Sequence, residues 1–212
     1  MKKILSISLL FNTLFVLFGL ITVIYLKEDI CQKIIDRKHS ADIVMFGDSH
    51  TEGGKWNSLI NGYTVKRLGW GGFTTDQLKR QINLVIQYKP KYVFILCGGN
   101  DIDEWCFDLN HTVKNYKLMV DSLKSHNIHP VFQKLLYQHD SKRFNSQIDS
   151  INNCLIKFCN VEKVDFIDIT KNMNDSTGLK YSLTIDGRVH LNPLGYKLWC
   201  MSINNYLKTN EK

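Results

Sequence analysis

A run of four apolar residues leads directly into a Gly-Asp-Ser turn, and this feature constrains the fold more than any other in the chain. The run is Ile43 to Phe46, and Gly47-Asp48-Ser49 follows it. Such a run, ended by a glycine, is typical of a buried strand in a parallel sheet. Because open α/β sheets bind ligands beyond the carboxyl ends of their strands, Ser49 is a candidate nucleophile if a base and an oxyanion hole lie nearby.

Strand and helix patterns alternate from Ala41 onward. The predicted strands cover residues 42–46, 63–68, 92–97, 131–136 and 164–169. The predicted helices follow a capping box at Thr74 to Gln77 and lie within residues 111–126, 144–158 and 194–207. This alternation predicts an α/β fold, in which a mainly parallel sheet is covered by helices on both faces as a three-layer α/β/α sandwich. Residues 41–212 are predicted to be one domain.

The amino terminus has a different composition from the rest. Lys2 and Lys3 precede an uncharged stretch from Ile4 to Leu26, which is long enough to cross a bilayer. An uncleaved signal-anchor over residues 1–27 is favoured over a cleaved signal peptide, because no small-x-small site precedes the next charges; a buried core helix is the alternative to both. The lysine pair predicts that the remainder lies outside the cytoplasm, periplasmic or extracellular, with residues 28–40 as a membrane-proximal segment.

Charge and cysteine usage exclude some partners. The formal net charge is +7, but the basic residues are scattered, so a solvated basic surface is favoured and no nucleic-acid partner is predicted. The six cysteines form no CxxC pair and have no zinc-site spacing, and mostly free thiols are expected. No metal and no cofactor is predicted.

Three further junctions can be matched to the Ser49 turn. Gly72 ends a glycine-rich loop before a capped helix, where its backbone N–H can point into the same crevice. Asn100 follows the strongest strand pattern, and its amide can donate to a developing oxyanion. His190 precedes the last helix, and its imidazole can take the proton of Ser49 and return it to a leaving group. Each signal alone is weak, but together they indicate one site.

These junctions resemble the SGNH (GDSL-type) hydrolase family, from about Ala41 to the end of the chain. The matching blocks are Gly47-Asp48-Ser49, Gly71-Gly72-Phe73-Thr74-Thr75, Gly98-Gly99-Asn100-Asp101 and the run from His190 to Tyr196. The resemblance implies a flavodoxin-like sheet, Ser49 as nucleophile and His190 as base. It also implies an oxyanion hole made by the amides of Ser49 and Gly72 and the side chain of Asn100.

One position departs from the family pattern. The family usually has an aspartate three residues before the histidine, where this chain has Gly187, and Asp186 is one residue further back. An extra loop residue still allows the Asp186 carboxylate to orient the His190 ring, and Asp186 is predicted to be the third member of the triad. A backbone carbonyl is the alternative.

Other polar and aromatic residues near these blocks are expected to have structural or pocket-lining roles rather than catalytic ones. His50 is expected to be a loop or pocket-wall residue rather than a second base. The carboxylates of Asp101, Asp103 and Glu104 are expected to cap a turn and a helix rather than to bind a metal. Aromatic residues in the same loops can line a pocket or pack within the loops: Trp56, Trp70, Phe73 and Trp105.

The leading functional hypothesis is a serine esterase that acts on small-molecule or glycan esters, including O-acyl groups on surface carbohydrate, or on lipid esters. An SGNH-type O-acyltransferase that passes the acyl group to a sugar is the first alternative. A membrane-tethered binding module without activity is the second, and the displaced aspartate is its only support.

Overall fold

A computed structural model describes residues 2–103 and 107–210, without the side chains of residues 2–11, 24, 25 and 103. The helices are α1 (Lys2–Lys38), α2 (Ser49–Glu52), α3 (Trp56–Leu59), α4 (Thr75–Lys79), α5 (Ile82–Gln87), α6 (Leu109–Ser125), α7 (Lys142–Glu162) and α8 (Pro193–Asn210). The strands are β1 (Ile43–Gly47), β2 (Val65–Gly69), β3 (Tyr92–Leu96), β4 (His129–Gln133), β5 (Asp165–Ile167), β6 (Asn174–Asp175) and β7 (Gly178–Leu179). Two short 3₁₀ helices span Asn100–Asp103 and Tyr181–Leu183.

The predicted parallel sheet is confirmed. Five strands pair in the order β2-β1-β3-β4-β5, and every pair in this sheet is parallel. The strand order reverses at β1, so a crevice opens between the carboxyl ends of β1 and β3, the place where α/β sheets of this type bind ligands. Strands β6 and β7 form a small antiparallel ribbon that the sequence patterns did not predict.

Alternate residues of each strand bury into two separate cores, which is the physical basis of the three layers. Ile43 and Met45 of β1 pack in one core with Trp199 of α8, whereas Val44 and Phe46 pack in the other with residues of α4, α5 and α6. All five residues of β1 and of β3 are buried. Because both faces are covered, these strands carry the continuous apolar runs seen in the sequence.

The helix predicted behind the capping box is present but divided. Thr74 caps α4, and the Gln77 side chain accepts from the Thr74 amide at 2.9 Å, as the capping-box pattern predicts. The helix ends at Lys79, and α5 begins at Ile82. Leu78 and Val85 still bury on the same side, so the apolar spacing predicted the buried face correctly but not the break.

The membrane span predicted over residues 1–27 is not supported. Residues 2–38 form one helix, but within the part of the chain that the structure describes, no helix has the length and apolar content needed to cross a membrane. Asn12, Thr13 and Thr22 add polar side chains to the described part of this stretch. Large apolar side chains of α1 are nevertheless exposed: Leu14, Phe15, Val16, Leu17, Phe18, Leu20, Ile21, Val23 and Leu26.

The carboxyl-terminal part of α1 covers the open edge of the sheet at β2. Gln32 donates to the Val65 carbonyl at 2.7 Å and accepts from the Arg67 amide at 3.1 Å, so its side-chain amide takes the place of a neighbouring strand. Glu28 is buried and accepts from the Asn57 backbone at 2.9 Å. Unpaired edge strands invite aggregation, and these contacts occupy the edge.

We expect Gln32→Ala to lower the free energy of unfolding by about 1–3 kcal/mol. The substitution leaves the half-buried Arg67 amide without its acceptor, and an unsatisfied donor carries a desolvation cost of that order. Urea denaturation of the two proteins measures the difference. Gln87→Ala, at an exposed position of α5, is the matched control and should change stability by less than about 0.5 kcal/mol. Equal losses in the two variants would show that the edge contact contributes nothing.

Candidate active site

Four residues predicted from separate parts of the sequence lie around one cleft of about 400 Å³. They are Ser49, Gly72, Asn100 and His190. Ser49 follows β1, Asn100 follows β3, and the cleft therefore lies at the strand-order reversal of the sheet. The tertiary structure brings together groups that are up to 141 residues apart in the chain, between positions 49 and 190.

The turn after β1 holds Ser49 at the first position of α2. Asp48 caps this helix, and its carboxylate accepts from the His50 amide at 3.0 Å. A Cβ on Gly47 would collide with the Leu96 carbonyl and the Thr51 hydroxyl, so only glycine lets the chain turn this close to β3. Ser49 is half-buried, and within the described ranges its hydroxyl has no hydrogen-bond partner. The hydroxyl is therefore available to a substrate or a base.

The structure places Asp186 against His190. The Asp186 Oδ2 lies 2.7 Å from the His190 Nδ1. The Oδ1 accepts from the backbone amides of Arg188 and Val189, each at 2.9 Å, and thereby closes the loop between the two residues. Gly187 has φ +74°, the left-handed conformation that glycine adopts without strain, and it accommodates the extra residue. The imidazole is thus oriented by a carboxylate, and its Nε2 has no hydrogen-bond partner in the part of the chain that the structure describes.

The hydrogen bonds to Asp186 keep it ionised. Partial burial raises the pKa of this carboxyl, but donation by the Arg188 and Val189 amides and by the His190 side chain outweighs burial and holds the pKa well below its usual value. Asp186 is therefore a carboxylate at neutral pH, and it can accept a hydrogen bond from the Nδ1–H of His190. In the ring tautomer with its proton on Nδ1, Nε2 is the acceptor, which is the form that a general base requires.

Two candidate oxyanion donors lie beside the Ser49 turn. Gly72 has φ +75° in the loop after β2, and a Cβ on its neighbour Gly71 would lie 3.9 Å from the Ser49 Cβ. The Asn100 Nδ2 donates one hydrogen to the Phe73 carbonyl at 3.0 Å, which orients the amide and leaves its second N–H available. The loop that bears Gly72 and the loop that bears Asn100 are therefore tied together at the cleft.

Asp101 fixes the loop that bears Asn100. Its buried carboxylate accepts from the Thr75 amide at 2.9 Å, from the Thr75 hydroxyl, and from the Thr112 hydroxyl at 3.1 Å. These bonds join the end of β3 to α4 and α6. The predicted role was a cap of the turn and the helix after it, whereas Asp101 bonds the start of α4, which precedes it in the chain, and Asp108 caps α6. Across the described ranges, no group of three His, Cys, Asp or Glu residues is placed to hold a metal ion. Glu104 lies outside the described residues, as does the side chain of Asp103.

His50 forms part of the cleft wall, as predicted. Its ring is buried, and its centroid lies 5.9 Å from that of His190. Burial and the nearby His190 lower the pKa of His50 to about 4, so this imidazole is neutral at pH 7. A neutral ring beside His190 adds no charge that would oppose protonation of the base.

At the cleft, burial raises the pKa of Asp48 to about 7, against the hydrogen bond from the His50 amide. An aspartate with a raised folded-state pKa stabilises the fold below its unfolded pKa of about 4, and this stabilisation is lost as the pH rises through 7. We expect the stability of Asp48→Asn, relative to the wild type, to rise between pH 4 and pH 8 by an amount on the order of 3 kcal/mol. Urea denaturation of both proteins at several pH values measures this difference. Parallel plots of unfolding free energy against pH for the two proteins would contradict the expectation.

The described aromatic residues of the nearby loops pack rather than line the cleft. Trp56 is fully buried against Trp199 and donates to the Thr51 carbonyl at 2.8 Å. Trp70 and Phe73 stack with centroids 5.5 Å apart. Trp105 lies outside the described residues.

Sequence reasoning missed the far wall of the cleft. This wall comes from the segment after β4, the first turns of α7 and the loop before His190, and its residues are Leu135, Leu136, Gln138, Phe144, Ile148 and Arg188. The apolar residues carry no signal that distinguishes a cleft wall from a core. The predicted strand 131–136 even included Leu135 and Leu136, whereas β4 ends at Gln133.

The fold is a parallel α/β sheet, and its cleft at the strand-order reversal is lined by a serine, a carboxylate-bound histidine and amide donors. This combination is typical of the class of ester-bond hydrolases. A family model for GDSL-like lipases and acylhydrolases matches residues 45–198, and the chain belongs to this family. The resemblance drawn from the sequence blocks is therefore confirmed.

Solved structures agree with the fold. A GDSL-like lipase from Bacteroides thetaiotaomicron has a TM-score of 0.70 at 22% identity, over 82% of this chain and 90% of that one. A lipase/acylhydrolase from Enterococcus faecalis has a TM-score of 0.66 at 24% identity, over 80% of this chain and 96% of that one. An acetyl xylan esterase has a TM-score of 0.67 at 21% identity, over 78% of this chain and 98% of that one. No curated protein sequence matches this chain.

Proposed function

We propose that the protein is a serine esterase that works through an acyl-enzyme intermediate. The observation that carries this proposal is the 2.7 Å contact between Asp186 and His190 on the wall of the cleft that also contains Ser49. A hydroxyl, an oriented imidazole and amide donors at one cleft are the parts that acyl transfer to serine needs.

In the first half of the reaction, His190 takes the proton of the Ser49 hydroxyl through its Nε2 while the serine oxygen bonds to the ester carbonyl carbon. The amides of Ser49 and Gly72 and the Asn100 side chain stabilise the oxyanion. When the bond to the leaving alcohol breaks, His190 returns the proton to the alcohol oxygen. Water then repeats the sequence on the acyl-enzyme, which releases the acid and regenerates Ser49.

The proposed substrates are O-acyl groups on carbohydrate or small lipid esters. Both charged and apolar side chains line the cleft, so it offers room and contacts for either. The acetyl xylan esterase among the similar folds supports a carbohydrate ester.

Hydrolysis and acyl transfer are separated by the fate of the acyl group. The full-length chain is incubated with 4-nitrophenyl acetate, with and without an excess of a sugar acceptor, and the products are resolved by mass spectrometry. Free acetate as the main product in both reactions supports the esterase, whereas acetylated sugar in excess of acetate supports an O-acyltransferase. A folded protein that neither releases nitrophenol nor reacts at Ser49 with a fluorophosphonate probe would instead be a binding module.

We also propose that α1 attaches the protein to a membrane and that the hydrolase domain lies outside the cytoplasm. The proposal is supported by the uncharged stretch from Ile4 to Leu26 and by exposed apolar side chains such as Phe15, which is 79% exposed, and Phe18, which is 70% exposed. Carbonate extraction of cell membranes tests attachment, and protease treatment of intact cells or spheroplasts tests the side. Release of the full-length protein by carbonate would contradict the proposal.

A further inference from the structure

The cleft has one positively charged lysine or arginine among the described residues that line it, and this residue is Arg188. It lies two residues before His190, in the loop that the Asp186 carboxylate closes. Its backbone carbonyl accepts from the His139 amide at 2.8 Å. The position of Arg188 relative to the proposed base is therefore set by backbone contacts on both sides of the loop.

The guanidinium is itself oriented by a buried side chain. The Arg188 Nε donates to the Gln138 Oε1 at 3.2 Å. Gln138 is only 8% exposed, and Asn145 holds its backbone by bonds of 2.8 Å to both its amide and its carbonyl. A buried, backbone-anchored glutamine thus holds one edge of the arginine and leaves the other nitrogen donors available.

Among the residues that the structure describes, no carboxylate forms an ion pair with this guanidinium. In the described ranges, no Asp or Glu oxygen lies within 4.0 Å of the guanidinium nitrogens of Arg188, and neither its Nη atoms nor the Gln138 Nε2 has a hydrogen-bond partner. Asp186, the carboxylate in the same loop, is already engaged by three backbone amides and by His190. A guanidinium fork with free donors matches the geometry of carboxylate and phosphate oxygens.

We infer that Arg188 and Gln138 bind an anionic group of the substrate, so that the preferred esters carry a negative charge close to the acyl group. This inference rests on the proposed esterase function and specifies its substrate class. Acylated acidic sugars provide such a charge as a carboxylate, and phosphorylated glycans or phospholipids provide it as a phosphate. The net charge of +7 favours the approach of either.

Three acetate esters that differ in one para substituent test the inference: 4-acetoxybenzoate, 4-acetoxybenzamide and 4-acetoxyphenyl phosphate. For the full-length chain, kcat/KM is measured for each ester, and the ratio of the anionic to the neutral ester is compared between variants, so that differences in leaving-group reactivity cancel. We expect Arg188→Gln to lower this ratio about tenfold for at least one of the two anions, because charge-assisted hydrogen bonds are lost. The anion with the larger loss identifies carboxylate or phosphate as the preferred group.

Two further variants complete the test. Arg80→Gln removes an exposed arginine at the end of α4, away from the cleft, and should leave every ratio unchanged, which separates a local contact from net charge. Gln138→Leu should raise the KM for the anionic ester about threefold with little change in kcat, because the guanidinium loses its orientation. Ratios within twofold of the wild type in Arg188→Gln would overturn the inference. Absence of Ser49-dependent hydrolysis of all three esters would instead overturn the proposed function.

Discussion

Ser49→Ala is expected to lower kcat/KM for 4-nitrophenyl acetate by about 10⁴- to 10⁶-fold, the largest effect that we predict. The nucleophile is lost, and the oxyanion donors alone retain only a small part of the catalysis. Because the Ser49 side chain is half-buried and its hydroxyl has no partner among the described residues, the fold should lose less than about 0.5 kcal/mol. Steady-state kinetics and thermal unfolding of the same preparation measure the two effects.

The matched control is Ser58→Ala, at an exposed position of α3, the helix that follows α2 in the chain. It should keep wild-type kinetics and wild-type labelling by a fluorophosphonate probe, which Ser49→Ala should lose. A Ser49→Ala protein with more than a tenth of the wild-type rate would show that another group attacks the ester.

Asp186→Asn is expected to lower kcat by about 10³- to 10⁴-fold. The Asn Oδ1 can still accept from the Arg188 and Val189 amides, so the loop should keep its shape. The Nδ2 then replaces the oxygen that faces the His190 Nδ1, and an amide nitrogen there donates rather than accepts. His190 is forced to carry its proton on Nε2, and it can no longer accept one from Ser49.

Asp175→Asn provides the control for this substitution. Asp175 accepts from the Thr177 amide at 2.8 Å in a turn of the same kind, but its carboxylate has no catalytic histidine as a partner. It should leave kcat unchanged within about twofold. If Asp186→Asn also stays within tenfold of the wild type, the Asp186 carboxylate does not orient the base, and a backbone carbonyl becomes the remaining candidate.

The sequence patterns that predicted the fold correctly are those in which the same apolar residues indicate both a strand and the burial of that strand on its two faces. The apolar runs at β1 and β3 required burial on both faces, and burial on both faces requires a parallel sheet covered by helices. The capping box at Thr74 was equally direct, since its hydrogen bonds join residues three positions apart. The break between α4 and α5 left the apolar spacing intact and therefore gave no sign in the sequence.

The residues that the structure brings to the cleft were located where each belonged to a short block. Ser49, Gly72, Asn100 and His190 each lie in such a block at a strand end or before a helix, and their catalytic roles, which the family resemblance implies, stay predictions. Gln138 and Arg188 belong to no block, because what makes them notable is a 3.2 Å contact across 50 residues of chain. The exposed apolar side chains of α1 were visible as a hydrophobic stretch, whereas the use of Gln32 to cover the edge of β2 was not.

Taken alone, the order of apolar runs and glycine turns determined that a serine follows β1 at the ligand-binding edge of a parallel sheet, because a strand buried on both faces leaves few other arrangements. Only the tertiary structure decided which carboxylate faces His190 and which side chains build the opposite wall. Those contacts depend on loop conformations set by hydrogen bonds, such as the closure of the loop by the Asp186 carboxylate, and the energies of such bonds depend on spatial neighbours rather than on sequence neighbours.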